Sequence, residues 1–336
     1  VEVRSNGRPR SLEGQNLVVA VGSRPMIPPI EGLEEAGYWT SNVGTSLRDL
    51  PSSMVVLGGG AVGVELAQVY GRFGVETVLV ESHPRILPRD HPKSSEAVQD
   101  QLREEGVDLR LGVQAELVSK GGRGRRVKLS DGSVVEGAEV LVAVGRRPMD
   151  LREMGIEEAG VKVDDHGVAS PDDQMRASAR VFVAGDAAGG MQFTHVADYQ
   201  GRIAAKAALG KPARADLRSV PRATYTYPET GAVGFTVEEA QEQGIDAFEV
   251  TQDFTTTARG YSIEGSRGHV TAVVDRERKT LAGVFAACPA ASELFHEGVL
   301  AIKLSIPVEV LADTLHAFPT GARVFGNLMT EALKRL

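Results

Sequence analysis

The sequence holds a single cysteine, Cys288, among 336 residues. One thiol allows no internal disulfide and no cysteine-rich metal site. Flanked by Ala286, Ala287 and Pro289, Cys288 reads as a small buried hydrophobe. No histidine stands in an HxxxH pair, and no metal site is expected. Basic charge is in deficit: 37 Lys and Arg face 45 Asp and Glu, a net charge of −8. Nucleic acid, which needs a basic footprint, is excluded as a partner. No apolar run approaches the roughly 20 residues of a membrane span. The first residues, VEVRSNGRPR, read as a charged strand and not as a secretory leader. A cytoplasmic protein is the expectation.

What is abundant is glycine: 38 residues, more than one in ten, against an average of about 7%. Without a collagen-like period, such an excess points to tight turns and close backbone approaches, as in phosphate-binding folds. The length allows two or three domains with sizeable cores. VEVRS followed by Asn6-Gly7 is a hairpin signal. LVVAVGSRP (17–25) reads as a buried strand ending at a glycine. From Pro51 the chain alternates strand and helix. MVVL, GGGAVG, a helix with Val62, Leu66, Val69, Tyr70 and Phe73 on one face, and the strand ETVLVE make a βαβ unit. A second helix is expected over 94–106, begun by serine. Residues 107–148 read as strands and hairpins, and 151–180 as loop. VFVAGDAAGG (181–190) repeats the pattern of a strand running into a glycine turn, with a helix after it. From 219 onward antiparallel strands and flanking helices suggest a separate α+β domain.

Gly58-Gly59-Gly60-Ala61-Val62-Gly63 fits G-x-G-x-x-G. The first glycine allows the tight turn. The second lets the backbone approach a pyrophosphate, and the third lets helix and strand pack closely. The motif follows a strand, opens a helix, and has an acid, Glu81, at the end of the next strand. A carboxylate there accepts from the ribose 2′-OH of NAD and repels the 2′-phosphate of NADP. The nearest Lys or Arg is Arg85. Dinucleotide binding with NADH preferred over NADPH is the expectation. Glu65, in the first helical turn, complements the helix dipole. Asp186 fits two readings equally, a helix cap or an acid meeting the sugar chain of a second dinucleotide. His316, in TLHAFPTGARVF, poses the question of an acid–base residue near the C-terminus.

The ordered run VVAVGSRP, VVLGGGAVGVELAQVYGRFG, VLVAVGRRP, VFVAGDAAGG, THVADYQGRIAA, PRATYTYPETGAVGFT and LHAFPT resembles the FAD-dependent pyridine nucleotide–disulfide oxidoreductases. This is the group of dihydrolipoamide dehydrogenase, glutathione reductase and mercuric reductase. The resemblance implies an α/β protein with two Rossmann-like dinucleotide-binding domains and a C-terminal α+β dimerisation domain. The implied segments are 1–45 and 148–215 for FAD, 46–147 for NAD, and 216–336 for a homodimer interface. The family opens with its own FAD-binding βαβ unit and a C-x-x-x-x-C redox pair. Neither is present, so the expectation is a chain shortened at its N-terminus with an incomplete FAD domain.

Roles follow by position. Gly58, Gly59, Gly60, Ala61, Val62, Gly63, Val64, Glu65, Glu81, Ala115 and Gly145 are implied at the NAD site. Val21, Gly22, Ser23, Asp186, Gln192, Phe193, Thr194 and His195 are implied at the FAD site. Val21 departs from the family's Thr-Gly-Ser. Glu65 is implied to pair with a lysine outside the sequence. The implied chemistry is hydride from NADH to flavin, then on to a disulfide or another small acceptor. The family's proton-shuttling His and its orienting Glu fall at Phe318 and Arg323. No His–carboxylate dyad is expected from those positions, and His316 is expected to be structural. Tyr227, where the family commonly has Asp or His, has no reading. The alternatives are a mercuric-reductase-like or quinone or small-oxidant reductase without the dyad, and, in another class, a non-catalytic NAD-binding and dimerising chain.

Overall fold

The computed structural model describes residues 2–6, 8–122 and 124–336. Two compact units emerge, 1–26 with 146–217, and 27–145 with 218–336.

The larger unit holds a five-stranded parallel sheet in the order Trp39–Thr40, Glu139–Val142, Ser53–Leu57, Glu76–Glu81, Asp108–Leu111. Its central strand is buried on both faces, as parallel strands between covering layers are. The pleat sends alternate residues opposite ways. Met54 and Val56 meet Val64, Ala67 and Tyr70 of the helix Ala61–Arg72, and Val98 and Leu102 of the helix Pro92–Glu104. Val55 and Leu57 meet Leu33 and Ala36 and a three-stranded antiparallel sheet through Val118, Val127 and Leu129. Residues 27–45, expected with the FAD-type segment, therefore pack on this sheet, because Leu33 and Ala36 supply apolar cover and Trp39–Thr40 adds an edge strand.

The same unit contains a five-stranded antiparallel sheet in the order Arg222–Thr224, Glu229–Gly234, Thr280–Cys288, His269–Asp275, Ala247–Asp253. Val270, Ala272, Val284 and Cys288 pack against Phe295 and the helix Gly321–Leu333 through Phe325 and Met329. Cys288 is fully buried, and burial raises its thiol to about 12, so it is an inert core residue as expected.

The smaller unit pairs Leu17–Val19 parallel with Val181–Val183, and Ser23–Pro25 antiparallel with Arg146–Pro148. Val181 and Val183 face one small core; Phe182 faces another, shared with Ile203 and Ala207 of the helix Thr194–Ala208. The hairpin Glu2–Ser5 with Arg8–Ser11 forms as expected around Asn6, while Gly7 lies outside the described residues.

Three sequence expectations change. The run 17–25 is two short strands, with Val18 and Val21 exposed at 43% and 42%. The helix Ala61–Arg72 buries Gly63, Val64, Leu66, Ala67 and Tyr70, while Val62, Val69 and Phe73 are exposed. Close approach to the sheet selects small side chains there over large ones. The next helix begins at Pro92, not at 94: His91 caps it by accepting from the Lys93 N–H, and Pro takes the first turn, where no N–H is needed.

Candidate functional site

The glycine turn links Ser53–Leu57 to Ala61–Arg72 and is fixed by sterics. Gly58 has φ +107°, and a Cβ there would lie 2.6 Å from the Ala143 carbonyl oxygen. A Cβ on Gly63 would lie 1.9 Å from the Gly58 oxygen, so helix and strand meet only through glycine. Around Gly60 nothing lies within 4 Å of the Cβ position. No side chain caps this helix, and its first backbone bond runs from Val64 N–H to the Gly60 carbonyl at 3.0 Å. The N–H groups of Ala61, Val62 and Gly63 thus have no acceptor within the helix. An open glycine face beside an uncapped helix N-terminus suits a pyrophosphate.

Glu81 closes the other side. Its Oε2 accepts from Gly59 N–H at 2.6 Å. Its Oε1 accepts from His83 N–H at 2.8 Å, from His83 Nδ1 at 2.7 Å and from Ser82 Oγ at 3.0 Å. Burial alone would raise this carboxyl; the donors, His83 first among them, outweigh it and hold the pKa below the usual carboxylate value. Arg85, the nearest Lys or Arg, is turned inward. Its Nη1 donates to Leu87 O, Asp90 O and Ser95 Oγ, and its Nη2 to Pro88 O. The residues present fit a dinucleotide. Gly145, φ +129°, follows Ala143, the residue whose carbonyl Gly58 approaches. Ala115 heads the strand Ala115–Gly121, two residues after Val113, whose N–H donates to the Glu81 carbonyl at 3.2 Å.

Glu65 does more than complement the helix dipole. Its Oε1 accepts from Tyr225 N–H at 2.8 Å, and burial raises its pKa against that bond. One turn on, Gln68 donates to the Tyr227 carbonyl at 2.8 Å and accepts its N–H at 2.7 Å. Tyr227, which had no reading, is thereby clamped to the glycine-turn helix, with Arg72 over its ring at 5.6 Å.

In the smaller unit Ser23 Oγ donates to Asp186 Oδ2 at 2.5 Å. Asp186 thus bonds a residue far along the chain, beside the turn at Gly22, φ +76°, where nothing lies within 4 Å of a Cβ. Arg146 grips Ser23 from its Nε to Oγ and from its Nη2 to the carbonyl, both at 2.8 Å. Sequence reasoning missed Arg146; the signal was the repeat of VGSRP (21–25) as VGRRP (144–148), whose last three residues pair with one another. Gly185 N–H donates to Gln200 Oε1 at 2.8 Å, tying the turn to the helix Thr194–Ala208. No side chain caps that helix, so its N–H groups open beside Gln192, Phe193, Thr194 and His195, with Phe193 and His195 stacked at 5.2 Å. Val21 is exposed at 42% and leaves its position without a hydroxyl. These residues fit one polar, sugar-like chain at Ser23 and Asp186 and an anion at the helix start.

The C-terminal segment is different. Phe318 is 74% exposed, and Arg323 is the third residue of the helix Gly321–Leu333, its N–H bonded to Thr320 Oγ1 at 3.2 Å. A phenyl ring and a guanidinium at these two positions cannot form a His–carboxylate dyad. A His–carboxylate pair nevertheless exists nearby: His316 Nε2 lies 3.0 Å and 3.1 Å from the two oxygens of Glu297. Its side chain is 4% exposed, its Nδ1 is buried without a partner, and a Cβ on Gly326 would lie 2.4 Å from that atom. No route to a substrate remains for Nδ1, so the pair anchors the segment between two helices. Nothing in the sequence pattern pointed to Glu297, 19 residues away on the helix His296–Leu304. Among the described residues, no cluster of His, Cys, Asp and Glu could hold a metal ion, and no helix is long and apolar enough to cross a membrane.

Comparison with known proteins agrees with this geometry. Residues 1–201 match the model for pyridine nucleotide-disulphide oxidoreductases, and 220–329 match that family's dimerisation domain. A dihydrolipoyl dehydrogenase of Thermus scotoductus is 36% identical over 327 residues, covering 95% of this chain and 70% of that protein. A mercuric reductase of Staphylococcus aureus is 30% identical, covering 95% of this chain and 59% of that one. The HOCl-induced flavoprotein disulfide reductase RclA of Escherichia coli superposes with a TM-score of 0.88 at 27% identity, over 98% of this chain and 76% of that one. The chain belongs to the pyridine nucleotide-disulphide oxidoreductase family.

Proposed function

We propose that this chain works in FAD-dependent electron transfer from NADH to an acceptor that takes no proton from the C-terminal segment. Bound FAD and NADH would supply the two-electron hydride chemistry. The protein's share is placement. Gly58 to Gly63 would hold the NADH pyrophosphate, and Glu81 its ribose. Ser23 and Asp186 would hold the sugar chain of the flavin, with the helix start at Thr194 beside its ring. The preference for NADH rests on the ionised Glu81 and on Arg85, whose guanidinium is turned inward. Exposed Leu300, Leu304, Val310 and Leu315 on the C-terminal domain support a homodimer through 216–336. A reducing, cytoplasmic setting suits a chain with one buried thiol.

The observation that carries the choice of acceptor is Phe318 with Arg323. Reduction of a disulfide needs a proton delivered to the leaving sulfur. Phe has no titratable proton, and Arg stays charged. General acid–base help is worth about 10²–10⁴-fold, so dithiol–disulfide turnover would be slow. A metal ion, a quinone or a small oxidant fits better. Mercuric reductases are among the relatives, and RclA has also been solved as a Cu(II) complex.

NADH oxidation by the flavin-loaded protein should be compared with lipoamide, a water-soluble benzoquinone and thiol-buffered Hg(II) as acceptors. We expect lipoamide to lag the best of the others by at least about 100-fold. The double change Phe318→His with Arg323→Glu should narrow that gap. Wild-type turnover of lipoamide within tenfold of the best acceptor would refute the reading.

A further inference from the structure

Glu81 is held in one orientation, and His83 supplies two of the bonds that hold it. A carboxylate offers about four good acceptor directions. Here Oε1 receives three donors, two of them from His83, while Oε2 receives only Gly59 N–H. The oxygen with capacity left is Oε2, the one held at the start of the glycine turn. Because His83 Nδ1 meets an ionised carboxylate oxygen at 2.7 Å, Nδ1 carries the proton. The Glu81 side chain is 8% exposed, and that of His83 is 60% exposed. The end of the strand Glu76–Glu81 therefore offers a ligand one oxygen with capacity left, Oε2. A ribose hydroxyl can donate to it, whereas a 2′-phosphate brings only acceptors and negative charge.

We infer that His83 is the positioning residue that sets coenzyme choice, by saturating Glu81 Oε1 and leaving Oε2 as the ribose acceptor. This rests on the NADH reading of the same site. Without the His83 side chain, Oε1 loses one charge-assisted bond and the carboxylate is free to turn from Gly59. The loss falls on a ligand that donates to Glu81 and not on one that its charge repels, so His83→Ala weakens NADH more than NADPH. Asparagine can place an amide N–H where Nδ1–H stands; glutamine, one methylene longer, cannot.

The test is binding, read by the fluorescence of NADH and NADPH on titration with the whole chain, with a thermal melt as the control for folding. His83→Ala is expected to raise the Kd for NADH about tenfold and to leave the Kd for NADPH within twofold. His83→Asn is expected to restore NADH affinity to within about threefold of wild type, and His83→Gln is not. Wild type favouring NADH, with His83→Ala unchanged, would overturn the role of His83 and spare the NADH reading. Wild type favouring NADPH, or binding neither, would overturn the reading and the inference with it. Should the alanine variant fail to fold, the Asn and Gln variants decide on the same readout: equal affinities for NADH in both would overturn the inference.

Discussion

The strand end at Glu81 and the segment 314–325 have opposite characters. Around Glu81 each carboxylate oxygen has a donor, and the glycines at 58 and 63 are there because a Cβ would strike backbone within 2.6 Å. Around His316 an imidazole nitrogen is buried without a partner, Phe318 lies 74% exposed, and Arg323 sits in the first turn of a helix. A cation there opposes the helix dipole. The chain makes the opposite choice elsewhere: Thr236 and Glu239 close a full capping box. The first region presents an open glycine turn beside an ionised acid. The second presents Phe318 and Arg323, groups that cannot exchange protons. If the proposed function holds, nucleotide binding and proton delivery are separable in this chain.

The sharpest way to break the comparison is at Gly63. Gly63→Ala sets a Cβ against the Gly58 oxygen at 1.9 Å, so the turn or the helix must shift. We expect loss of NADH binding by 100-fold or more, and a stability loss on the order of 1–3 kcal/mol from overpacking. Titration with NADH and a denaturant melt would show it. An alanine variant that binds NADH like wild type would mean the turn is not the dinucleotide site.

How much of this was legible in the sequence differs between the two regions. The glycine turn was legible because its rule is steric and local: Gly58, Gly60 and Gly63 stand at fixed offsets between a strand and a helix. The buried face of that helix was misread, since hydrophobicity favoured Val62, Val69 and Phe73 while close packing on the sheet selected Gly63, Val64 and Ala67. His83 was missed because a loop residue hydrogen-bonding back two positions leaves no periodic trace. The loss at Phe318 and Arg323 was plain from the sequence. The pair His316–Glu297 was not, because it joins a loop residue to a helix 19 residues back, and the imidazole sits against Gly326, where a Cβ would strike it.

The helix Pro92–Glu104, packed on the sheet that carries Glu81, is joined by buried polar groups to the sheet on which the helix Gly321–Leu333 packs, and acid should loosen that joint. His91 bonds Glu249 at 3.0 Å, and Ser94 bonds His269 at 3.0 Å, linking the helix Pro92–Glu104 to the antiparallel sheet. Burial, aided by the charges of His91 and Lys93, pushes His269 down to about 3. An unfolded histidine titrates near 6.5. Below that pH the unfolded state binds the extra proton, so stability falls as pH falls, by about 1.4 kcal/mol per pH unit. Asp90, raised by burial, acts in the opposite sense, and Glu249, lowered first by its bond to His91, adds to the loss only in the carboxylate range. The loss from His269 therefore opens below about pH 6.5, and Asp90 offsets it where it takes up its own proton. Denaturant melts below that pH should show the slope in wild type and a flatter one in His269→Gln. Equal slopes would remove His269 from the account.

The smallest expected effect bears most directly on the second region. If Arg323 is there for a ligand or an acceptor and not for the fold, replacing it should help the fold. Arg323→Glu puts a carboxylate at the third position of the helix Gly321–Leu333, behind a Thr cap that already accepts the Arg323 N–H. The change removes an unfavourable dipole interaction and supplies the second half of a capping box. A gain of about 0.3–1 kcal/mol is expected, which a thermal melt would record as a rise of about 1–3 °C. NADH affinity should not move, since Gly58 to Glu81 lie on other elements. A variant that melts lower than wild type would show that the guanidinium makes a stabilising contact, and the region would then be a built one whose partner lies elsewhere in the assembly. A variant that melts higher and oxidises NADH more slowly with its best acceptor would place Arg323 where stability has been given up for function.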